Sequence, residues 1–346
     1  MDTANQDDYF LSYEEVEVHK LMLKDQSRTK AYQKFIESNK ALFEDKVVVD
    51  VGAGIGILSL FAAKAGAKQV YAVEASGIHE LCREVIAKNG YADKITVLHG
   101  CVEDVILPDN VKADVIISEW MGFYLLHESM LNSVIIARDR FLKPDGVLVP
   151  SAANLYICPV SMTDFYNNNL RFWNSLYGFN FSPVASHVKQ KMLTAPQIEL
   201  LAKEQCLAEP ERVLSLDLKY VDREDVRKIF SHVKFRLTKN GLLHGLAFWF
   251  DVEFDGDVPS LFSTGPNCEE THWKQTIIML PDALLVNRGE EFECTVLAEQ
   301  STEHPRRYNL SIEVPEDVEE DEAEVGEAMN MISEAMQHCD EQTDFL

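Results

Sequence analysis

Between residues 46 and 150, five short apolar runs, "KVVVDVG", "QVYAVEA", "KITVLHG", "ADVIISE" and "GVLVP", alternate with helical stretches such as "ILSLFAAKAGA" and "GIHELCREVIAKNG". Parallel strands need a crossover between them, and a helix in that crossover buries its apolar face on the sheet. The alternation therefore predicts an α/β unit, a parallel sheet covered by helices on both faces. Pro144, Asp145 and Gly146 read as the turn into the last strand, and Pro150 as the junction after it. Past Pro150 the alternation stops. "LHGLAFWFDVEF" repeats with period two, placing Leu246, Phe248, Phe250, Val252 and Phe254 on one face, which predicts an antiparallel β domain. Residues 161–205 read as a mainly helical, unusually aromatic insertion that packs on a partner or a second copy of the chain. Ahead of the sheet, Val18, Leu21, Met22 and then Tyr32, Phe35, Ile36 have the spacing of an amphipathic helix or a broken pair of helices.

The first chemical motif is "VVVDVGAGIGILSLFAAKAG". Gly52, Gly54 and Gly56 sit between a strand and a helix, where glycines let a ligand approach the backbone and the helix N-terminus. Glu74 ends the next strand, where a carboxylate accepts the hydroxyl hydrogens of a ribose. Glu103 follows the third strand, at the place for an adenine-side or ribose-side group. The spacing GxGxG, preceded by Asp50 and free of basic residues, differs from the GxGxxG that holds a pyrophosphate. It favours an adenosine ligand without phosphate, S-adenosyl-L-methionine, over NAD; glycines that serve only a tight turn are the remaining alternative.

A second motif poses a question. "SEWMGFYLLHES" places Glu119 and Glu128 in an otherwise aromatic and aliphatic segment. Two acids in a poorly solvated place repel each other unless a cation neutralises them. Taken singly, each could also be an ordinary exposed loop glutamate.

Charge narrows the partners. The net charge is −25, and residues 313–346 hold thirteen acids and neither Lys nor Arg. About −12 is left on the first 312 residues, still acidic, so direct binding of nucleic acid is not expected. An Arg-rich protein or peptide would be attracted; the acidic end itself reads as a solubilising, disordered tail. No basic n-region with an apolar core begins the chain and no apolar run approaches the roughly 20 residues a bilayer needs, so an intracellular protein without membrane attachment is expected. Seven scattered cysteines with no CxxC spacing indicate neither a disulfide framework nor a metal site, and read as reduced, mostly buried thiols.

From about Tyr9 to about residue 312 the chain resembles the protein arginine N-methyltransferases that form asymmetric dimethylarginine. The matching stretches are "YFLSY", "HKLMLKDQSRT", "VVVDVGAGIGILSLFAAKAGA", "VEAS", "SEWMGFYLLHESML", "FLKPDGVLVP", "YGF" and "THWKQT". The resemblance implies a Rossmann-like class I methyltransferase domain followed by an antiparallel β-barrel with a helical dimerisation arm. It divides the chain into N-terminal helices closing over the cofactor at 1–45, an S-adenosylmethionine-binding domain at 46–150, a barrel at 151–312 with its arm at about 161–205, and a tail at 313–346. A head-to-tail homodimer follows from it.

The resemblance also answers the question of the two acids. A guanidinium is planar, permanently charged and carries a fork of five donors, so Glu119 and Glu128 would each bind one side of it. By the same resemblance Arg28 would bind the donor's carboxylate, His19 would reach the ribose side, and Glu74 and Glu103 would hold ribose and adenine. Met22 and Met130 would wall the transfer site. His272, oriented by its partner Asp25, would help remove a proton during or after transfer, and Tyr9 and Tyr13 belong to a segment closing over the cofactor. Tyr13, Met121 and Trp273 would lie on the substrate side. Phe123 departs from the tyrosine common in relatives, and Ala53 and Ile55 from Ser and Thr. Arginine methylation of histone or RG-rich substrates in the nucleus or cytoplasm is the expected function. A weakly active adaptor and a small-molecule methyltransferase are the alternatives.

Overall fold

The computed structural model of the chain describes residues 9–315; the acidic run from residue 316 onward and Cys339 lie outside the described residues. After a helical turn at 9–12 come α1 (Val16–Lys24) and α2 (Gln26–Ser38), the broken pair of helices. The break is Asp25, whose ψ of 91° leaves the helical region. Its Oδ1 accepts the Arg28 backbone N–H at 2.9 Å, capping α2.

The α/β unit follows: β1 (Val47–Val51), α3 (Ile57–Lys64), β2 (Gln69–Glu74), α4 (His79–Lys88), β3 (Ile95–His99), β4 (Ala113–Ile117), α5 (Leu131–Phe141) and β5 (Leu142–Val149). All pairs are parallel, in the order β3-β2-β1-β4-β5. The strand order reverses between β1 and β4, so the loops leaving those two strands diverge and open a crevice at their carboxyl ends. Val48, Val49, Val70, Ala72 and Ile117 are wholly buried. Each large aliphatic side chain buried this way stabilises the fold by about 1.5–3 kcal/mol. The turn expected at Pro144–Gly146 is instead a bulge within β5, where the register jumps from Ala113↔Leu142 to Val115↔Val147.

The remaining strands are β6 (Ala152–Val160), β7 (Gln197–Glu199), β8 (Glu211–Asp217), β9 (Lys228–Arg236), β10 (Gly241–Phe254), β11 (Ser260–Ser263), β12 (Gln275–Val286), β13 (Glu291–Gln300) and β14 (Tyr308–Glu313). The expected barrel takes the form of two antiparallel sheets, β7-β12-β10-β6-β8 with β11 on β10, and β14-β13-β9. β10 is buried on both faces. Leu246, Phe248, Phe250, Val252 and Phe254 enter the main core, while Ala247 and Trp249 join a second core with Met162, Leu170 and Met192 of the insertion.

The insertion holds α6 (Thr163–Asn169) and α7 (Ser182–Thr194), but it ends in β7, which pairs with β12. It leaves Phe172, Tyr177 and Phe179 exposed, Tyr177 at 97 %. Six cysteines are free thiols: Cys82, Cys158 and Cys294 are buried, Cys101 and Cys206 half-buried, and Cys268 exposed. Among the described residues no helix is long and apolar enough to cross a membrane.

Candidate active site

The loop leaving β4 at the crevice is shaped by close approach. Ser118 Oγ donates to the Val51 carbonyl at 2.8 Å, tying the ends of β4 and β1, and Tyr32 Oη donates to the Ser118 carbonyl at 3.0 Å. Gly122 and Leu125 exchange backbone hydrogen bonds. A Cβ on Gly122 would stand 2.2 Å from the His127 carbonyl oxygen, so only glycine fits. Tyr124, Leu125, Glu128 and Ser129 all have positive φ, a concentration of backbone strain that surrounding contacts must hold. This double turn brings Glu128 back to the cavity that Glu119 lines, a space of about 180 Å³.

The two carboxylates are not equivalent. Glu119 Oε2 accepts Nε and Nη2 of Arg28 at 2.6 and 2.5 Å, while its buried Oε1 finds no hydrogen-bond partner. Glu128 Oε2 accepts the Tyr13 hydroxyl at 2.8 Å. Burial pushes the Glu128 carboxyl above its ordinary range, opposed by bonds from Tyr13 and Tyr9 and the charge of Arg306, and reinforced by Glu119. Burial, followed by the Glu128 charge, likewise pushes both tyrosine hydroxyls up.

Beside them, Asp25 Oδ2 accepts the His272 backbone N–H at 2.9 Å and ring Nδ1 at 2.7 Å. Burial works against the Asp25 charge, but the bonds from His272 and Arg28 outweigh it and hold the carboxyl below its usual range. With Nδ1–H committed to Asp25, Nε2 is the proton-accepting atom of the neutral ring. Trp273 Nε1 donates to the Met121 carbonyl at 3.0 Å. Its polar edge is thereby spent on supporting the loop, and only ring surface is left to face a substrate. Burial pushes His127, between the two glutamates in sequence, down to about 4.

At the other end of the cavity Gly52, Gly54 and Gly56 have φ of 70°, 55° and 90°. A Cβ on Gly52 would fall 2.2 Å from Met130 Cε. Glu74 accepts Gly54 N–H at 2.8 Å, Ser76 N–H at 2.8 Å and Ser76 Oγ–H at 2.7 Å, so the protein already orients it. Buried His19 donates from Nε2 to the Tyr13 carbonyl at 2.9 Å and packs over Gly54. Glu103 is exposed and accepts the Ser133 hydroxyl at 2.8 Å.

Asp50 is fully buried. Ser59 Oγ donates to its Oδ2 at 2.6 Å, Oδ1 has no partner, and burial pushes the carboxyl up to about 7. Between about pH 4 and 7 the folded chain holds a proton that the unfolded chain has released, so this group makes stability fall as pH rises. Asp50→Asn is therefore expected to gain stability relative to the native chain as pH rises from about 4 to 7, by up to about 1.4 kcal/mol per pH unit crossed, and to keep that gain above about pH 7. Thermal melts of both proteins across that range check it.

The residues fit a cationic adenosyl ligand. The glycine turn has no basic side chain for a phosphate, and the carboxylates of Glu74, Glu103, Glu119 and Glu128 line the cavity. S-Adenosylmethionine carries positive sulfonium and ammonium groups of the kind such acceptors require.

All the site residues named from the sequence line this cavity except Asp25, held behind it by His272, Asp50, beneath the glycine turn, and Gly56, whose α-carbon faces Cys82 and Ile86. The Arg28–Glu119 pair was not read from the sequence, although Arg28, Tyr32 and Phe35 share one helical stripe and two of the three are aromatic core residues. Arg306 gives no local signal: it lies in a polar loop far along the chain, and only the tertiary fold brings it here. A larger cleft of about 1470 Å³ adjoins the cavity and shares Phe123 and His272 with it; Glu199, Glu269, Glu270, Glu299 and Glu303 stand among its lining residues.

The chain is similar to known proteins over both its parallel and its antiparallel sheets. Residues 48–146 match a family model described as a methyltransferase domain, and residues 151–316 one described as the arginine methyltransferase oligomerization subdomain. Over 340 residues the chain is 41% identical to the Probable protein arginine N-methyltransferase 6 of Arabidopsis thaliana, covering 88% of this chain and 78% of the relative. It is 38% identical to Protein arginine N-methyltransferase 1 of Chlamydomonas reinhardtii over 90% of this chain and 89% of that one. The solved Trypanosoma brucei PRMT1 enzyme-prozyme heterotetrameric complex with AdoHcy is similar at a TM-score of 0.80 and 34% identity, covering 88% of this chain and 94% of that chain.

Proposed function

The chain belongs to the protein arginine N-methyltransferase family, as an S-adenosylmethionine-dependent transferase, and from that premise we propose that it methylates one terminal guanidino nitrogen twice, giving monomethyl and then asymmetric dimethylarginine. The observation that carries the site assignment is the pair Glu119 and Glu128 lining one small cavity, with Glu119 Oε1 buried and unpartnered. Such a place calls for a planar cation with several donors.

S-Adenosylmethionine supplies a methyl carbon made electrophilic by a positive sulfur. The glycine turn, Glu74 and His19 would hold its nucleoside side, Glu103 would stand at the open end, and Arg28 would face its charged end, with Asp50 beneath the glycine turn. Glu119 and Glu128 draw the substrate's positive charge onto two guanidino nitrogens, leaving the lone pair of the third more available. Tyr13 fixes the Glu128 carboxylate, and Met22, Met121 and Met130 keep the surroundings apolar so that the reacting nitrogen is positioned and water excluded. The proton given up by the methylated nitrogen has an acceptor in His272 Nε2, whose ring Asp25 orients.

The acidic cleft lining supports Arg-rich partners, histone tails or RG-rich segments among them. Glu269→Lys/Glu270→Lys is expected to raise KM for a basic peptide about tenfold with little change in kcat, an effect that shrinks with added salt. Steady-state kinetics at two ionic strengths check it. The exposed aromatics of the insertion support a homodimer built through that arm.

Product type is tested by mass spectrometry of an RG-rich peptide and its Arg→Lys version after incubation with the donor. Dimethylamine loss from the Arg peptide alone agrees with the proposal; monomethylamine loss, or no transfer, contradicts it.

A further inference from the structure

Arg306 lies in the hairpin between β13 and β14, far in sequence from Tyr9, Phe10 and Glu128. Its guanidinium carbon stands 3.6 Å from the ring centre of Tyr9 and 5.2 Å from that of Phe10, and its Nη1 donates to the Glu128 main-chain carbonyl at 3.0 Å. The same hairpin holds the next residue. Ser129 Oγ donates to the Pro305 carbonyl at 2.8 Å, and Gln300 Nε2 donates to Ser129 Oγ at 3.1 Å and to Pro305 O at 2.6 Å. Glu128 and Ser129 are both left-handed, with φ of 71° and 54°. Two consecutive non-glycine residues in that region keep their conformation only when outside contacts impose it. The contacts here come from the second domain.

On its other side Arg306 meets the N-terminal segment. Tyr9, Phe10 and Tyr13 line the cavity that also holds the glycine turn and Glu74, and Tyr13 reaches Glu128. A flat cation over an aromatic face is an attractive, geometrically specific contact. Arg306 thus touches both the N-terminal segment and the backbone that aims Glu128.

We propose that Arg306 is a positioning residue that latches the 9–13 segment over the donor cavity while setting the backbone of Glu128, so that closure and carboxylate placement happen together. Closing the segment traps the donor; aiming Glu128 serves the arginine. Loss of Arg306 must therefore weaken both, whereas loss of a purely structural contact would lower stability alone. The inference rests on the reading that Glu128 grips the substrate, but its donor-binding and exchange readouts do not depend on that reading.

The test compares Arg306→Lys, Arg306→Ala, Tyr9→Leu and the Lys/Leu double variant with the native chain. Three measurements are made: the dissociation constant of S-adenosylhomocysteine by calorimetry, hydrogen exchange of residues 9–15, and kcat and KM for an RG-rich peptide. Arg306→Lys keeps the charge but loses the flat stack, and is expected to weaken S-adenosylhomocysteine about fivefold to thirtyfold with faster exchange at 9–15. Tyr9→Leu should do the same, and the double variant should add little to either. Lower kcat in both arginine variants is expected from the Glu128 contact. If Arg306→Ala does not fold, the Lys and Leu variants still decide. Unchanged binding and exchange in Arg306→Lys, or additive effects in the double variant, overturns the latch. If binding and exchange shift as expected while kcat holds, the latch stands and the role of Glu128 is what fails.

Discussion

Glu128→Gln is expected to reduce kcat by about a thousandfold while leaving the affinity for S-adenosylhomocysteine within about threefold of the native value. The substitution keeps shape and an acceptor for the Tyr13 hydroxyl, which lies 2.8 Å from Oε2, so the loop and the segment over the cavity should stay in place. What is lost is a charge that the substrate guanidinium needs as its reacting nitrogen acquires a fourth bond. A group whose charge acts mainly in the transition state lowers kcat and kcat/KM together when removed. The pH dependence follows from the same carboxylate. Burial, with Glu119 adding to it, pushes Glu128 above the ordinary glutamate range, and only its charged form can grip a cation. The acid limb of the native kcat/KM profile should therefore lie closer to neutrality than an unperturbed glutamate would place it, with activity lost as pH falls through that limb. Residual turnover of Glu128→Gln should lack the limb. Rapid-quench turnover and calorimetry on the two proteins measure both effects.

Arg28→Ala is expected to destabilise the fold by about 3–5 kcal/mol, because it leaves a carboxylate in a nearly dry site without its cation. The side chains of Arg28 and Glu119 are only 10% and 8% exposed, so solvent does little to screen either charge. Surface ion pairs give no comparable effect. The backbone N–H of Arg28 still caps onto Asp25, so helix α2 should survive and the loss should report the ion pair itself. Adding Glu119→Gln removes the stranded charge, and the double variant should recover much of the stability lost in Arg28→Ala. Urea unfolding of the native chain, both single variants and the double variant gives the coupling directly. Additive losses would mean that the pair contributes little.

Much of this molecule is legible in its sequence. The parallel sheet announced itself because strands buried on both faces carry continuous β-branched runs, and the glycine turn because glycine takes the positive φ at Gly52, Gly54 and Gly56 without steric cost. The even-numbered face of β10 was readable from its period, but the second core on its odd face was not. Ala247 and Trp249 are buried by the aromatic insertion, whose return as β7 leaves no periodic trace in three residues. The bulge at Pro144–Gly146 reads locally as a turn, since the same residue types serve both.

In the site, residue types were visible and pairings were not. Glu119 and Glu128 stood out as acids in an apolar segment, yet nothing in twelve residues says that Arg28 from α2 shares Glu119, or that Trp273 spends its N–H on Met121. Long-range polar contacts depend on where the helices and hairpins land. Arg306 is the clearest case, a charged residue in a polar loop that the fold carries to the most strained backbone of the active site.

Methyl transfer by this site requires two carboxylates to share one guanidinium. A crystal structure of the chain with S-adenosylhomocysteine and an RG-rich peptide tests this most directly. It should show the target arginine in the cavity with its nitrogens hydrogen-bonded to both Glu119 and Glu128. A peptide bound with its guanidinium touching neither carboxylate, or with both glutamates turned out to solvent, would contradict it.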